Sequence, residues 1–284
     1  MKAFLLEAAG LDNLKKVERD VPKPGPGEVL LRMSAASLNY RDLMIVTTGG
    51  MYRPPFIPLS DGCGVVEEVG AGVTRVKAGD RVAPSFFQKW ISGRPELALL
   101  GSSLGGPHDG CLSQYMVLSE DGVSKVPAFL TDEQVATLPC AGLTAWRGLR
   151  EGGFKAGDTV VVQGTGGVSI FALQFAKAGG GTVIVTSSSD EKLERAKALG
   201  ADHLINYKAT PEWAKEVRKI TGGRGADHVI EVGGAGTFNQ SLQAVRLDGH
   251  IAVIGVLAGF TKDVPIAAIF GGNIRITGLS VGRL

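Results

Sequence analysis

The residues with the clearest chemical spacing are Gly164-Thr165-Gly166-Gly167-Val168-Ser169. They follow an apolar strand, DTVVVQ, and precede a segment with Val168, Phe171, Ala172, Phe175 and Ala176 on one helical face. A glycine at 164 permits a tight turn, and one at 166 lets the backbone approach a pyrophosphate. The free N–H groups at the helix start then meet its charge. Ser169 stands where such loops carry a third glycine, and is small enough for close helix–strand packing. A glycine turn without a ligand is the alternative, and the strand–helix units that follow favour the nucleotide.

The next strand, TVIVT, bears on which nucleotide. Sites for NAD usually place an acid about 20 residues beyond the first glycine, on the adenosine ribose. Here the strand runs into Ser187-Ser188-Ser189, and Asp190 comes only as a helix begins. Small hydroxyls leave room for a 2′-phosphate, and Lys192 either supplies positive charge or is a solvated helix lysine. Asp190 reads equally as a cap or first-turn acid. The expectation is NADPH ahead of NADH.

The elements around these residues fall into two halves. Up to about residue 125, the segments KPGPGEVLLRMSAASLN, DGCGVVEEVGAGV, AGDRVAP and CLSQYMVLS read as carrying strands with no helices between them, a small β-barrel-like unit. Ser85–Gly110, polar and glycine-rich, reads as a long surface loop with a structural role only. Thr131 and Gln134 form a capping-box pair. From Asp158 strands and helices alternate. The helices carry Leu193, Ala196 and Leu199, then Trp213, Val217 and Ile220, then Phe238, Leu242 and Val245. Strands apolar nearly throughout must be covered on both faces, so this half is a doubly wound α/β sheet.

Composition narrows the function classes. The 284 residues suit two domains, and 30 basic against 28 acidic side chains show no stripe for nucleic acid. The start, MKAFLLEAAG, is too short and acidic for a signal peptide, and no run approaches a membrane span. Three cysteines, at 63, 111 and 140, give no disulfide framework, so a reducing cytoplasm is expected. His203, His228 and His250 each stand near the start of a strand and read as strand-edge structure.

Taken in order, SLNYRD, GMYRPPFIP, DGCGVVEEVGAGV, AGDRV, LPCAGLTAW, GTGGVS and KLERAKALGADHLINY resemble the medium-chain dehydrogenase/reductases across nearly the whole chain. The resemblance implies a GroES-like catalytic domain over 1–125 and a Rossmann cofactor domain over 126–284. It places Thr144 near the nicotinamide and Tyr207 near the adenosine phosphate. It sets backbone contacts around Gly255, Val256, Leu279 and Val281 along the dinucleotide, beside Gly164, Gly166, Gly167, Val168, Ser187, Ser188 and Lys192. It also implies a homodimer through the edge strand NIRITGLSV. Family members continue into a segment that returns to the first domain, so a chain ending at Leu284 reads as a fragment or a shortened variant.

Departures from the family point to the branch. Zinc-bearing members supply Cys, His and Cys where this chain has Asn39, Ser60 and Cys140. Their four-cysteine lobe falls near residues 85–111, where only Cys111 remains, with His108 nearby. One cysteine cannot hold a catalytic zinc, which needs three protein ligands, so no metal is expected and Cys140 reads as a small buried residue. Hydrogen-bond donors must then meet the charge on a reduced substrate. Asn39, Tyr40, Arg41 and Tyr52 are the candidates, with Arg41 free to hold a substrate oxygen or a cofactor phosphate, or to pair with Asp42. The expected activity is a zinc-free, NADPH-dependent, quinone-oxidoreductase-like transfer of hydride to a quinone, enone or activated carbonyl. The alternatives are an alcohol dehydrogenase and a nucleotide-binding protein with a structural or regulatory role.

Overall fold

The structure, a computed structural model, describes residues 1–50, 52–260 and 263–283. It divides into two compact units, Met1–Ala141 with Gly282–Leu284, and Gly142–Val281.

The first unit begins with the antiparallel pair β1 (Lys2–Leu6) and β2 (Leu14–Glu18). Next come β3 (Glu28–Ser37), helix α1 (Tyr40–Thr48), β4 (Asp61–Val69), β5 (Arg81–Pro84), the single turn α2 (Leu97–Leu100), β6 (Tyr115–Ser119) and β7 (Val123–Lys125). Five strands form an antiparallel sheet in the order β6-β3-β4-β5-β7. Val29, Leu31, Val66, Val82, Met116 and Leu118 fill its inner face together with Leu59 and Leu104. Helix α3 (Asp132–Ala136), capped by Thr131 and Gln134 as expected, packs on β3 and β4. Its Val135 and Ala136 join Cys63 and Ala83 in a small cluster. For that reason the unit extends to Ala141, where the sequence placed the boundary at 125.

Ser85–Gly110 is not the plain surface loop expected. Phe86, Phe87, Trp90, Leu104, Ser102 and Ser103 are all buried. The three aromatic rings pack together, Phe86 edge-on to Phe87 at 4.7 Å and Phe87 tilted against Trp90 at 5.6 Å. Burying three rings removes enough apolar area from water to fix a loop whose composition is otherwise polar.

The second unit opens with α4 (Leu143–Gly152) and continues β8 (Thr159–Gln163), α5 (Gly167–Ala178), β9 (Thr182–Ser187), α6 (Asp190–Ala198), β10 (His203–Asn206), α7 (Trp213–Ile220), β11 (Ala226–Glu231), α8 (Phe238–Ala244), β12 (Val245–Val253), α9 (Ile266–Gly272) and β13 (Arg275–Gly278). All six strands run parallel in the order β10-β9-β8-β11-β12-β13. This is the doubly wound order, with its switch point between β8 and β11. Alternate residues of each strand feed two cores. Val160, Val162, Val183, Val185 and Ile230 pack with α4, α5 and α6 on one face, and Val161, Ile184, Ile205, Val229 and Ile251 with α7 and α8 on the other. Two helix-face assignments shift: Leu199 is 44 % exposed at the end of α6, and Val245 is the first residue of β12.

His203 heads β10, exposed, but His228 and His250 lie buried inside adjacent central strands rather than at an edge. Their rings meet edge-on at 6.0 Å.

Candidate active site

In the second unit the glycine loop has the geometry the motif implies. Gly164 turns with φ 71°, a left-handed conformation that a side chain would strain, and donates to the Thr186 carbonyl at 2.7 Å. At both Gly164 and Gly166 an added Cβ would meet nothing within 4 Å, so this backbone faces open space. Gly166 caps α5, and the first N–H groups of a helix have no partner within it. Ser169 Oγ donates to the Gln163 carbonyl at 2.6 Å, closing the loop from the helix side. An open, amide-lined loop at a helix N-terminus fits a dinucleotide pyrophosphate.

The residues expected at the adenosine end lie together past β9 and β10. Asn206 pairs in register with Ser187, and the Tyr207 N–H donates to the Ser187 carbonyl at 3.0 Å. Lys192 is exposed in the first turn of α6, and Ser188 is half-buried. Ser187 differs from Ser188 in its surroundings. It is buried, and its Oγ accepts the Ser189 N–H at 3.3 Å. Ser189 is the cap of α6, while Asp190 accepts from the Asn206 amide at 2.6 Å. Gly255 and Val256 are half-buried in the loop after β12, Thr144 is buried in the first turn of α4, and Leu279 and Val281 are buried beyond β13.

In the first unit the zinc-position residues converge on a carboxylate that sequence reasoning missed. Asp61, fully buried at the head of β4, accepts from Ser60 Oγ at 3.0 Å and from the Cys140 N–H at 3.0 Å. Burial raises its carboxyl to about 6, against the Asn39 amide, the Cys140 N–H and the Ser60 hydroxyl, which favour the charged form. Asp42 is likewise raised by burial, opposed by its bond from the Asn39 N–H (2.8 Å) and by Arg41. Asn39 Nδ2 is buried near both carboxyls but makes no hydrogen bond of ordinary geometry to either. The one sequence signal for Asp61 was its place next to Ser60 at the head of an apolar strand.

These donors do not match a catalytic zinc. Ser60 is a buried hydroxyl already committed to Asp61, Asn39 offers an amide, and burial pushes the Cys140 thiol well up, away from the thiolate that zinc requires. Among the described residues no three His, Cys, Asp or Glu side chains group to hold a metal ion. His108 is exposed while Cys111 is buried, its thiol also raised by burial.

Arg41 makes the Asp42 pairing that was one of its three expected roles. Its guanidinium reaches Asp42 Oδ1 at 3.4 Å, donates to the Leu104 carbonyl at 3.1 Å and lies 4.7 Å over the Phe86 ring. It anchors α1 to the buried aromatic segment. Tyr40 is 55 % exposed at the start of α1. Tyr52 stacks edge-on to Phe56, and its hydroxyl stands 3.5 Å from Ser103 Oγ.

Known proteins share both units. The pattern described as alcohol dehydrogenase GroES-like domain matches residues 25–128, and that described as zinc-binding dehydrogenase matches residues 167–283. A zinc-type alcohol dehydrogenase-like protein of Schizosaccharomyces pombe is 49% identical over 290 residues, covering 98% of this chain and 83% of its own. A Sinorhizobium meliloti 1021 structure assigned as an alcohol dehydrogenase superposes with a TM-score of 0.92 at 48% identity, over 99% of this chain and 84% of that one. The chain belongs to the medium-chain dehydrogenase/reductase family. It is an NAD(P)-dependent oxidoreductase of that family, with a GroES-like unit and a Rossmann unit. A 2-haloacrylate reductase of a Burkholderia species is 33% identical over 287 residues, 98% of this chain and 80% of its own. Two further solved relatives are an NAD-dependent alcohol dehydrogenase (TM-score 0.88, 38% identity, 98% and 84% covered) and a mycobacterial protein complexed with NADPH (TM-score 0.82, 30% identity, 99% and 82% covered).

Proposed function

We propose that this protein is a zinc-independent reductase that uses NADPH to transfer hydride to a quinone, an enone or a related activated carbonyl. The observation that carries the reading is the set Asn39, Ser60 and Cys140 gathered around buried Asp61 where zinc-bearing relatives place their ligands. A bound nicotinamide dinucleotide supplies the hydride. The protein's own part is to seat the pyrophosphate on the Gly164–Val168 amides and to offer hydrogen-bond donors to the substrate oxygen, with Asn39 and Tyr52 as the candidates and Tyr40 exposed beside them. Hydride addition to a conjugated acceptor spreads the new charge over several atoms. It therefore needs less electrophilic help than an isolated carbonyl, which suits a site of neutral donors.

Preference for NADPH rests on the Ser187–Ser189 turn, Lys192 and Tyr207, with no acid free at the end of β9 because Asp190 is held by Asn206. The solved relatives include both an NAD-dependent enzyme and an NADPH complex, so the cofactor is decided by measurement. The reading extends to a cytoplasmic homodimer joined through β13, whose Ile276 is exposed, as is Phe270 on α9.

The test is NADPH and NADH oxidation against quinones, enones and simple aldehydes, with dinucleotide binding followed by fluorescence. Turnover of conjugated acceptors with NADPH supports the proposal. Turnover confined to simple aldehydes and alcohols favours the alcohol dehydrogenase reading that several relatives' names suggest. Binding without turnover favours a non-catalytic role.

A further inference from the structure

Glu231, the last residue of β11, is fully buried, and none of the hydrogen bonds it receives comes from a cation. Its Oε1 accepts from the N–H groups of Gly233 (2.8 Å) and Gly234 (2.9 Å) and from Thr237 Oγ1 (2.5 Å). Its Oε2 accepts from Gln163 Nε2 at 2.8 Å and from the Ser241 hydroxyl. Three of these partners are N–H groups that can only donate, and a buried polar group pairs so fully where leaving a donor unmatched would be costly.

The place of this cluster gives it meaning. Gln163 ends β8 and directly precedes Gly164, so the Glu231–Gln163 bond spans the switch point of the sheet, where such folds bind ligands. Gln163 Oε1 also accepts the Val232 and Gly233 N–H groups, each at 3.3 Å. The loop after β12 is built on the same footing. The Ile254 N–H donates to the Glu231 carbonyl at 2.9 Å, and the Ala258 N–H to the Gly233 carbonyl at 2.7 Å. A Cβ at Gly255 would stand 2.3 Å from the Val232 carbonyl oxygen, so the two loops are in van der Waals contact. Three loops, after β8, β11 and β12, thus share one buried polar knot.

We propose that Glu231, through Gln163 and Ser241, is a positioning residue for the dinucleotide, setting the glycine loop and the two loops beside it in the shape that receives the cofactor. The inference rests on the dinucleotide assignment of this unit.

The bond between Gln163 and Glu231 has a direction, and that makes the idea testable. In Glu231→Gln one accepting oxygen becomes an NH2 group, which meets either the Gln163 amide or the Gly233 and Gly234 N–H groups, donor against donor in both cases. In Gln163→Glu an acceptor replaces the amide donor, so two carboxyl groups meet in a buried site and the bond is lost unless a proton is taken up between them. Exchanging the two, Gln163→Glu with Glu231→Gln, restores one donor opposite one acceptor and keeps the net charge. The measurements are the Kd of NADPH, or of NADH if that binds more tightly, corrected for the folded fraction, the KM and kcat for the same dinucleotide, and the melt without cofactor. Each single change is expected to weaken binding about tenfold or more and to raise KM more than it lowers kcat, with the exchange returning within about threefold of wild type. Ser241→Ala, a milder loss of one bond, should weaken binding by about threefold or more and keeps the test open if the single variants fold poorly.

A folded Glu231→Gln or Ser241→Ala protein with wild-type affinity would overturn the inference, whatever its melting temperature. So would an exchanged variant that is folded yet binds no better than the single variants. If wild-type protein binds neither dinucleotide, the assignment of the unit fails and the inference with it.

Discussion

Buried His250 should make the Rossmann unit sensitive to acid well above the pH at which carboxylates protonate. His250 Nε2 lies 3.0 Å from Thr277 Oγ1, and its Nδ1 is buried without a partner. Burial lowers its pKa from 6.5 to about 4, with neighbouring His228 and Arg275 adding to the shift and Glu151 opposing it. His228, 3.1 Å from Asp158, is also lowered by burial, against the pull of Asp158 and Asp227. A folded-state pKa below the unfolded value means that the unfolded chain takes the proton first. Stability is therefore full above about pH 6.5 and declines as the pH falls toward 4, levelling off below the folded pKa. At about 1.4 kcal/mol per pKa unit, His250 alone removes about 2–3 kcal/mol between about pH 7.5 and about pH 4.5. Asp61 has the opposite sign, because its raised pKa favours the folded state as the pH falls, so a global melt would mix the two. The clean measurement is hydrogen exchange of β11 and β12 amides in wild type and in His250→Gln, which reads the second unit alone. The variant should be less stable than wild type at neutral pH, and the gap should narrow by about 2–3 kcal/mol at about pH 4.5. A gap that stays constant with pH would refute the assignment of a depressed pKa to this histidine.

Gly166→Ala should change stability by less than about 1 kcal/mol, because the new methyl group meets no neighbour and its gain in chain stiffness offsets the poorer helix cap, yet it should weaken dinucleotide binding about tenfold or more by filling the approach of the pyrophosphate. Equal binding by that variant would remove the loop from the site. Ser187→Asp should shift preference from NADPH toward NADH, since a carboxylate repels a 2′-phosphate and accepts from a free ribose. The ratio of the two Kd values reads this, and an unchanged ratio would place the 2′-position elsewhere. Because Ser187 is buried, the substitution also costs stability, so the ratio, not either affinity alone, is the measure. Dialysis against a strong chelator should leave activity and melting temperature unchanged. Loss of either, restored by zinc, would show that the donors around Asp61 bind metal after all.

The sequence alone determined what short separations encode. Apolar runs such as DTVVVQ, the helical face from Val168 to Ala176 and the glycines at 164 and 166 each act within a few residues, so the doubly wound unit and its loop could be read directly. So could the capping pair Thr131 and Gln134. The tertiary structure decided whatever depends on burial or on partners far along the chain. Asp61 has its raised pKa because folding buries it, with Asn39, Ser60 and Cys140 holding it against that rise, and no local pattern announces that meeting. Arg41 could be assigned to an anchor only when the Leu104 carbonyl and the Phe86 ring were found beside it, and the segment carrying them looked polar because its few aromatic residues are the part that is hidden. Glu231 reads in sequence as an acid at a strand end, where solvent is the ordinary partner. Folding instead surrounds it with donors from Gln163, the loop beyond it and Ser241, and in a dry interior a carboxylate is defined by the hydrogen bonds that replace water.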